Sequence, residues 1–444
     1  MQSFISRYRN STLARNTGWM FLGQGLRLMI QAGYFIIIAR SLGVQQYGAF
    51  AAVTAMVAIF SPFVGLGCGN LIIKNVARNP ELLEECYGNG LLVTLATGLA
   101  GVGLVIGMCR WVLPNTIQMT VIVMVALADL VCNRLIILVA SAFQAVERLD
   151  RTAQLNVLMS AARLVGIAVT VVVVRHPTAE LWSIVYAAAT GFATVVSLLS
   201  TTSLVKSFQL NLHRIKQELL EGVYFSGSIS AQTIYNDVDK TMLARLSTLG
   251  ANGIYSAAYR LIDVAFIPVS SVLYAAYPGY FRHGNGEIRA TYKYAKKLLP
   301  RPIAFSFLAF LGLLVGAPLI PKILGGEYSR TVEALRWLAI LPLFKTIHYF
   351  LADALSGAGH QGLRMSLQIV VAIFNVFVNL WIIPAYSWRG AAWSSLASDG
   401  LLALVMWMAI SSLERREPLT AAASGPVADL GCASDRQSES LSTL

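Results

Sequence analysis

The chain has 444 residues, of which 56% are hydrophobic and only 13% charged, against roughly 25% charged residues in a soluble globular domain. So much apolar surface has no place in a water-facing fold, which excludes an ordinary soluble enzyme, a disordered chain and a disulfide-stapled secreted domain. The formal net charge of +12 would point to nucleic acid in a soluble protein; here it fits basic residues facing the cytoplasm across a membrane, with no nucleic-acid partner.

A membrane crossing needs about 20 apolar residues to cover roughly 30 Å of hydrocarbon. By that ruler the sequence predicts an all-α polytopic membrane protein with about twelve transmembrane helices. The first run, near 17–39, follows Arg7, Arg9 and Arg15. It is too long for a signal peptide and carries Arg27, so it is expected to be retained. The next five runs lie near 48–69, 86–109, 116–144, 152–174 and 181–205. The second six lie near 222–246, 253–281, 299–321, 331–356, 364–386 and 390–412. None alternates as a transmembrane barrel strand would. The predicted organisation is a cytoplasmic segment over 1–16, an N-terminal lobe over 17–205, a cytoplasmic linker over 206–221, a C-terminal lobe over 222–412 and a disordered cytoplasmic tail over 413–444.

An even number of crossings puts both ends on one side, and the excess of Lys and Arg there assigns that side to the cytoplasm. The densest basic stretch, Arg282 to Arg301 with Arg289, Lys293, Lys296 and Lys297, reads as an orientation signal among anionic headgroups. No loop is long enough for a soluble catalytic domain. The five cysteines and five histidines form no CxxC or HExxH pattern, so no metal site is expected and the histidines read as packing or surface residues. Leu42 to Tyr47 aligns with Leu249 to Ile254, and Phe143 to Arg148 with Leu355 to His360, at nearly equal offsets. Six plus six crossings of the same orientation make a parallel repeat, which suits a transport pathway between two lobes.

A charge inside a span costs at least about 2.5–3.5 kcal/mol, so it must face protein or water. Arg27 lies in the first span, Asp129 and Arg134 in the fourth, and Arg163 in the fifth. Asp237, Asp239 and Lys240 lie in the seventh, Arg260 and Asp263 in the eighth, Arg336, Lys345 and Asp353 in the tenth, and Asp399 in the twelfth. The third, sixth and ninth spans are free of charge through their centres and are expected to face lipid. Asp237 with Lys240, and Arg260 with Asp263, are three residues apart and can neutralise each other. Arg27, Arg163 and Lys345 have no opposite charge within four residues; Asp239, Asp129 and Asp399 are available to them across helices. Any base left unpaired makes the cavity attractive to an anion, above all a phosphate or diphosphate, because guanidinium donates two parallel hydrogen bonds. Asn375 and Asn379 share one face of the eleventh span, placed for interhelical hydrogen bonds or for a substrate or ion contact.

Ala39-Arg40-Ser41-Leu42-Gly43-Val44-Gln45-Gln46-Tyr47-Gly48 resembles the A-R-x-L-G-x-x-x-Y-G signature after the first helix of polysaccharide flippases. Asp237-Val238-Asp239-Lys240 with Gly253 to Arg260 resembles their seventh-to-eighth helix segment, and Gly325-Gly326-Glu327-Tyr328 their G-x-x-Y turn. Asn375 to Asn379, Ile383-Pro384 and Gly390-Ala391-Ala392 resemble the eleventh and twelfth helices. In order and spacing the chain resembles the Wzx-type O-antigen and exopolysaccharide flippases of the multidrug/oligosaccharidyl-lipid/polysaccharide superfamily.

That resemblance implies two six-helix lobes around a central cavity, and a non-enzymatic flippase in a bacterial inner membrane, working by alternating access with both termini cytoplasmic. The implied substrate is an undecaprenyl-diphosphate-linked oligosaccharide for O-antigen, capsule or exopolysaccharide. Within that picture Arg27, Arg163, Lys240, Arg260 and Lys345 are candidates for the diphosphate or acidic sugars. Asp129, Asp237, Asp239, Asp263 and Asp399 are candidates for cation coupling or charge balance. No cofactor is implied beyond a coupling Na+ or H+, and the implied partners are the bilayer and the polysaccharide polymerase and chain-length machinery. Alternatives are a lipid II flippase, a cation-coupled drug antiporter of the same superfamily, or a membrane polysaccharide polymerase or ligase. The polymerase reading lacks the large functional loop it would need.

Overall fold

The computed structural model describes residues 2–205, 210–211, 230, 233–284 and 287–416, with side chains from Gly25 onward except at 77–78, 203, 278 and 282–284. Most of the 206–221 linker, the start of the seventh span and residues 417–444 of the tail lie outside the described residues. Every regular element among the described residues is helical. The chain runs through α1 (2–42), α2 (44–60), α3 (Cys68–Arg78), α4 (Leu83–Val112), α5 (Met119–Ala145), α6 (Leu149–Val173) and α7 (Ala179–Ser200). A second series follows: α8 (233–246), α9 (Leu249–Gly284), α10 (Ile288–Leu298), α11 (Pro300–Leu324), α12 (Thr331–Gly357), α13 (Gln361–Tyr386) and α14 (Trp388–Arg416).

Ten stretches among the described residues are long and apolar enough to cross a membrane. The first, Gly25–Val76, holds two helices folded about Gly43, and the described part of the seventh span is the helix over 233–246. The protein is a multi-pass, all-helical membrane protein. Its lipid-facing surface is marked by side chains no core could leave bare, among them Trp111, Val172, Val315 and Trp381.

Several helix limits differ from those read in the sequence, each for a local reason. The helix containing the first span starts at Gln2, not Thr17, and ends at Gly43, whose φ of 68° suits a residue without a Cβ. The second span ends at Phe60 rather than near 69, because Ser61-Pro62 and the positive-φ run Gly65, Leu66 and Gly67 break the helix. The chain resumes as the separate amphipathic helix α3, which buries Ile72 and Val76 four residues apart. α10 holds the equivalent place in the second series; it buries Ile288, Thr291 and Ala295 and exposes Lys293, Lys296 and Lys297. The twelfth span continues as helix to Arg416, past 412. α5 is interrupted by a π-helical turn at Leu127–Cys132, which carries Asp129; such turns recur at functional sites.

Alternating crossings leave two faces. One carries the Gly43 kink and the turns at 113–118, 174–178, 247–248, 325–330 and 387; the other carries α3, α10 and the turn at 358–360. α3–α7 pack around a core that includes Ile72, Tyr87, Val139 and Phe143. α8–α10 and α12–α14 pack around Tyr280, Phe350, Leu355 and Met406. A third core joins the two lobes along α1, α2 and α9.

That seam closes on the Gly43 face. A Cβ on Gly48 would stand 1.9 Å from the Leu249 carbonyl oxygen, and one on Gly253 would stand 2.0 Å from that of Val44, so the two helices touch backbone to backbone. Asn252 Nδ2 donates across the seam to the Gly48 carbonyl at 2.8 Å. From the 325–330 turn, Glu327 Oε2 accepts from Val44 N–H at 3.1 Å and Tyr328 Oη donates to the Ala39 carbonyl at 2.9 Å. The segments aligned as an internal repeat, 42–47 and 249–254, are thus the segments that meet.

Candidate functional site

Below the seam lies a cavity of about 410 Å³ lined from both lobes. α1, α2, α5, α6 and α7 contribute Tyr34, Tyr47, Asp129, Arg163 and Tyr186; α8 and α9 contribute Asp237, Lys240, Arg260 and Asp263. It reaches Ser61, in the turn on the face opposite the seam. Beside it, between α1 and α9, runs a groove of about 470 Å³ whose walls include Leu28, Ile36, Val264, Ile267 and Ile323. Phe35, Arg260 and Asp263 line both spaces, so the groove opens into the cavity at that level. Arg27 lies in the groove wall.

Most of the charges in the cavity are paired. Arg163 Nη2 meets Asp129 Oδ1 at 2.9 Å, and the same oxygen accepts from Tyr186 Oη at 2.7 Å. Arg163 Nε donates to Thr190 at 3.0 Å, and its guanidinium lies 4.1 Å from the centre of the Tyr186 ring. Lys240 Nζ meets Asp237 Oδ1 at 2.6 Å and the Asn236 carbonyl at 2.7 Å. Arg260 and Asp263 do not neutralise each other, although they sit three residues apart: Asp263 is drawn to Lys345 on α12, at 3.8 Å. The ammonium groups of Lys240 and Lys345 lie 4.1 and 4.5 Å from the centre of the Tyr259 ring, whose face carries the negative end of its quadrupole.

Two bases are left over. Among the described residues neither Arg27 nor Arg260 has an ion pair or a hydrogen bond, and the Nε of Arg27 is buried without an acceptor. Both are only half-buried, so their charge is available to the cavity and groove. An arginine is the base best suited to hold two oxygens of a phosphate at once. The site therefore has two uncompensated guanidinium groups at the junction of a polar cavity and an apolar groove.

The remaining acids and amides belong to the interior of the second lobe. Asp239 is buried; it accepts from Tyr255 Oη, from Ser395 Oγ at 3.0 Å and from Lys240 N–H at 2.7 Å. Asp399 pairs with none of Arg27, Arg163 and Lys345; it meets His348 Nε2 at 2.9 Å, with both side chains buried. Asn375 Nδ2 donates to Ser394 at 3.3 Å and Ser398 at 2.9 Å on α14, and Asn379 Nδ2 donates to Asn375 Oδ1 at 2.8 Å.

The family model for polysaccharide biosynthesis proteins matches residues 13–282. The chain belongs to that family. Solved transporters share the fold of this polysaccharide biosynthesis protein at low sequence identity. An inward-facing multidrug resistance MATE family transporter of the MOP superfamily superposes with a TM-score of 0.70 at 14% identity, covering 88% of this chain and 96% of that one. An outward-facing structure of such a transporter gives 0.64 at 14% identity, covering 90% and 97%. The lipid II flippase MurJ in an inward closed conformation gives 0.68 at 12% identity, covering 90% and 87%. Among curated protein sequences none matches.

Four features of the site left little trace in the sequence. The sixth span has no charge at its centre, yet α7 turns Tyr186 and Thr190 onto the Arg163–Asp129 pair rather than giving its whole surface to lipid. Arg134 donates through both Nε (2.9 Å) and Nη2 to Ser61 Oγ at the cavity mouth. His348, read as a packing or surface residue, is a buried partner of an acid. Tyr259 is an aromatic in an aromatic-rich helix, and only the convergence of two lysines marks it.

Proposed function

We propose that this polysaccharide biosynthesis protein is a flippase that carries an undecaprenyl-diphosphate-linked oligosaccharide across the bacterial inner membrane, without covalent chemistry. The observation that carries the reading is the pair Arg27 and Arg260, unpaired where the polar cavity meets the apolar groove. An amphiphile with an anionic head and a long apolar tail fits that junction: the diphosphate takes the free guanidinium groups, the tail leaves past the apolar groove walls into the bilayer, and the sugars enter the polar spaces that open off it. Leaving two bases uncompensated inside a membrane is costly. A dianionic ligand head would repay that cost on binding, which gives the empty site a strong preference for a diphosphate over a neutral lipid.

The excess of basic residues on the face of α3, α10 and Arg416 supports a cytoplasmic placement of that face and of both termini. In that orientation the cavity is open to the cytoplasm and sealed at the periplasmic seam, as required for loading a substrate made inside the cell. Alternating access then consists of parting α2 from α9 at Gly48 and Gly253 while the opposite end closes.

The reading is tested in a strain lacking the gene. Complete, unpolymerised repeat units on diphosphate lipid should collect in the cytoplasmic leaflet and surface polymer should disappear, both restored by the wild-type gene. Repeat units reaching the periplasmic leaflet in the deletion strain would overturn it. In that case the protein would act after translocation.

A further inference from the structure

The second lobe contains another pocket, of about 380 Å³, between α9, α12 and the start of α13. It is lined by Phe266, Tyr274, Tyr277, Tyr349, Asp353 and Arg364, with Ser270. Ser270 and Tyr274 also line the groove, so cavity, groove and pocket form one connected path along α9. Unlike the cavity, this pocket balances its own charge: Arg364 Nη1 meets Asp353 Oδ1 at 3.3 Å and Ser356 Oγ at 2.8 Å, and both side chains of the ion pair are largely buried. Nothing here favours a phosphate. The walls are aromatic, with Phe266 and Tyr349 ring centres 5.6 Å apart, Tyr277 39% exposed and Tyr274 82% exposed.

The unused hydrogen-bonding capacity is of a particular kind. Tyr349 Oη accepts from Tyr235 at 3.4 Å, which leaves its own proton to donate. Arg364 Nε is buried without an acceptor. Asp353 engages one carboxylate oxygen and leaves the other open, and Ser270 spends its proton on the Ile267 carbonyl and keeps its lone pairs. Donors and acceptors thus alternate around exposed aromatic faces. A neutral ligand with many hydroxyls and an apolar C–H face on each ring satisfies both at once; a lipid tail would satisfy neither the donors nor the acceptors. The volume falls in the range of about 300–1,000 Å³ usual for small-ligand sites.

We propose that this pocket is the carbohydrate subsite: Tyr274, Tyr277 and Tyr349 stack on sugar rings while Asp353 and Arg364 bind their hydroxyls, one step along α9 from the free arginines that hold the diphosphate. The proposal rests on the flippase reading and divides recognition between two places, head charge at Arg27 and Arg260 and sugars at the tyrosine pocket.

The test uses full-length protein in lipid nanodiscs and two probes: lipid-linked oligosaccharide extracted from membranes of the deletion strain, and bare undecaprenyl diphosphate. Wild-type protein should bind the glycosylated lipid about tenfold or more tightly than the bare one, the size expected from one or two good ring contacts. Tyr277→Ala with Tyr349→Ala, which line the pocket and not the groove, should abolish that difference and leave the affinity for the bare lipid unchanged; Tyr277→Phe with Tyr349→Phe should keep most of it. Arg27→Ala with Arg260→Ala should weaken both probes. Equal binding of the two probes by wild-type protein, or equal weakening of both by the tyrosine variants, would overturn the subsite and make those tyrosines interfacial anchors. Failure of wild-type protein to bind either probe would overturn the flippase reading itself.

Discussion

The cavity between the lobes and the interior of the second lobe hold the same kinds of residue, yet they treat charge in opposite ways. In the interior every acid is held in place: Asp399 by His348, and Asp239 by Tyr255, Ser395 and a backbone N–H. Beside them Asn375 donates to α14 and Asn379 donates to Asn375, with the Asn379 amide oxygen left without a partner. Around the cavity and the groove beside it, three ion pairs, Arg163–Asp129, Lys240–Asp237 and Lys345–Asp263, stand next to Arg27 and Arg260, which have neither an ion pair nor a hydrogen bond among the described residues. A buried polar group that is fully partnered serves packing and register. One that the fold leaves unpartnered, at a cost and in contact with a cavity, is there for a ligand. A charge inside a membrane is therefore diagnostic of function only after its partners are known.

The comparison breaks first at the cavity pairs. Asp129→Asn should strand Arg163 and lower stability by up to about 3–5 kcal/mol, toward the low end because both groups reach the cavity. The check is thermal unfolding in detergent; adding Arg163→Gln should return part of the loss, and no loss in the single variant would show that the pair is not needed for folding.

Arg27→Ala and Arg260→Ala should behave in the reverse manner. Each removes a base without a partner, so unfolding temperature should stay or rise, while polymer export falls about tenfold or more, as for loss of a charge-assisted hydrogen bond of about 1.5–3 kcal/mol. Normal export by either variant at normal abundance would remove that residue from the site.

A third test moves to the seam. Gly253→Ala places a methyl group where the Val44 carbonyl now sits, so α2 and α9 must separate, at a cost of about 1–3 kcal/mol to the sealed state. Spin labels in the turns at 113–118 and 325–330 should move apart. An unchanged distance would mean that the strain is absorbed elsewhere.

The smallest effect belongs to the interior amides. Asn375→Ala removes two hydrogen bonds to α14, each worth about 0.6 kcal/mol within a membrane, and should lower stability slightly with export near normal. A large export defect with intact stability would place Asn375 at a substrate or ion instead.

Much of the fold was legible because the rules that set it are local. Hydrocarbon thickness fixes the length of an apolar run, so the crossings could be counted one by one. Ser61-Pro62 and the glycines after it show how this fails at the ends, where backbone conformation rather than hydropathy stops α2 and releases α3. The site was legible as a set of residue types: the charges that line the cavity were those standing out against their spans. Their pairing was not legible. Arg260 and Asp263 sit at ideal helical spacing, and α12 nonetheless brings Lys345 to the aspartate.

Hydropathy along the chain was enough to place it in a membrane and to show which spans carry charges too expensive to face lipid. Which bases are spent on acids and which remain for a ligand emerged only once the helices were packed, as did the places of Tyr186, His348 and the tyrosine pocket beside them. The two kinds of information differ in range. Apolar burial sums along one helix and can be read along it, whereas an ion pair depends on the rotation and depth of two helices packed from distant parts of the chain.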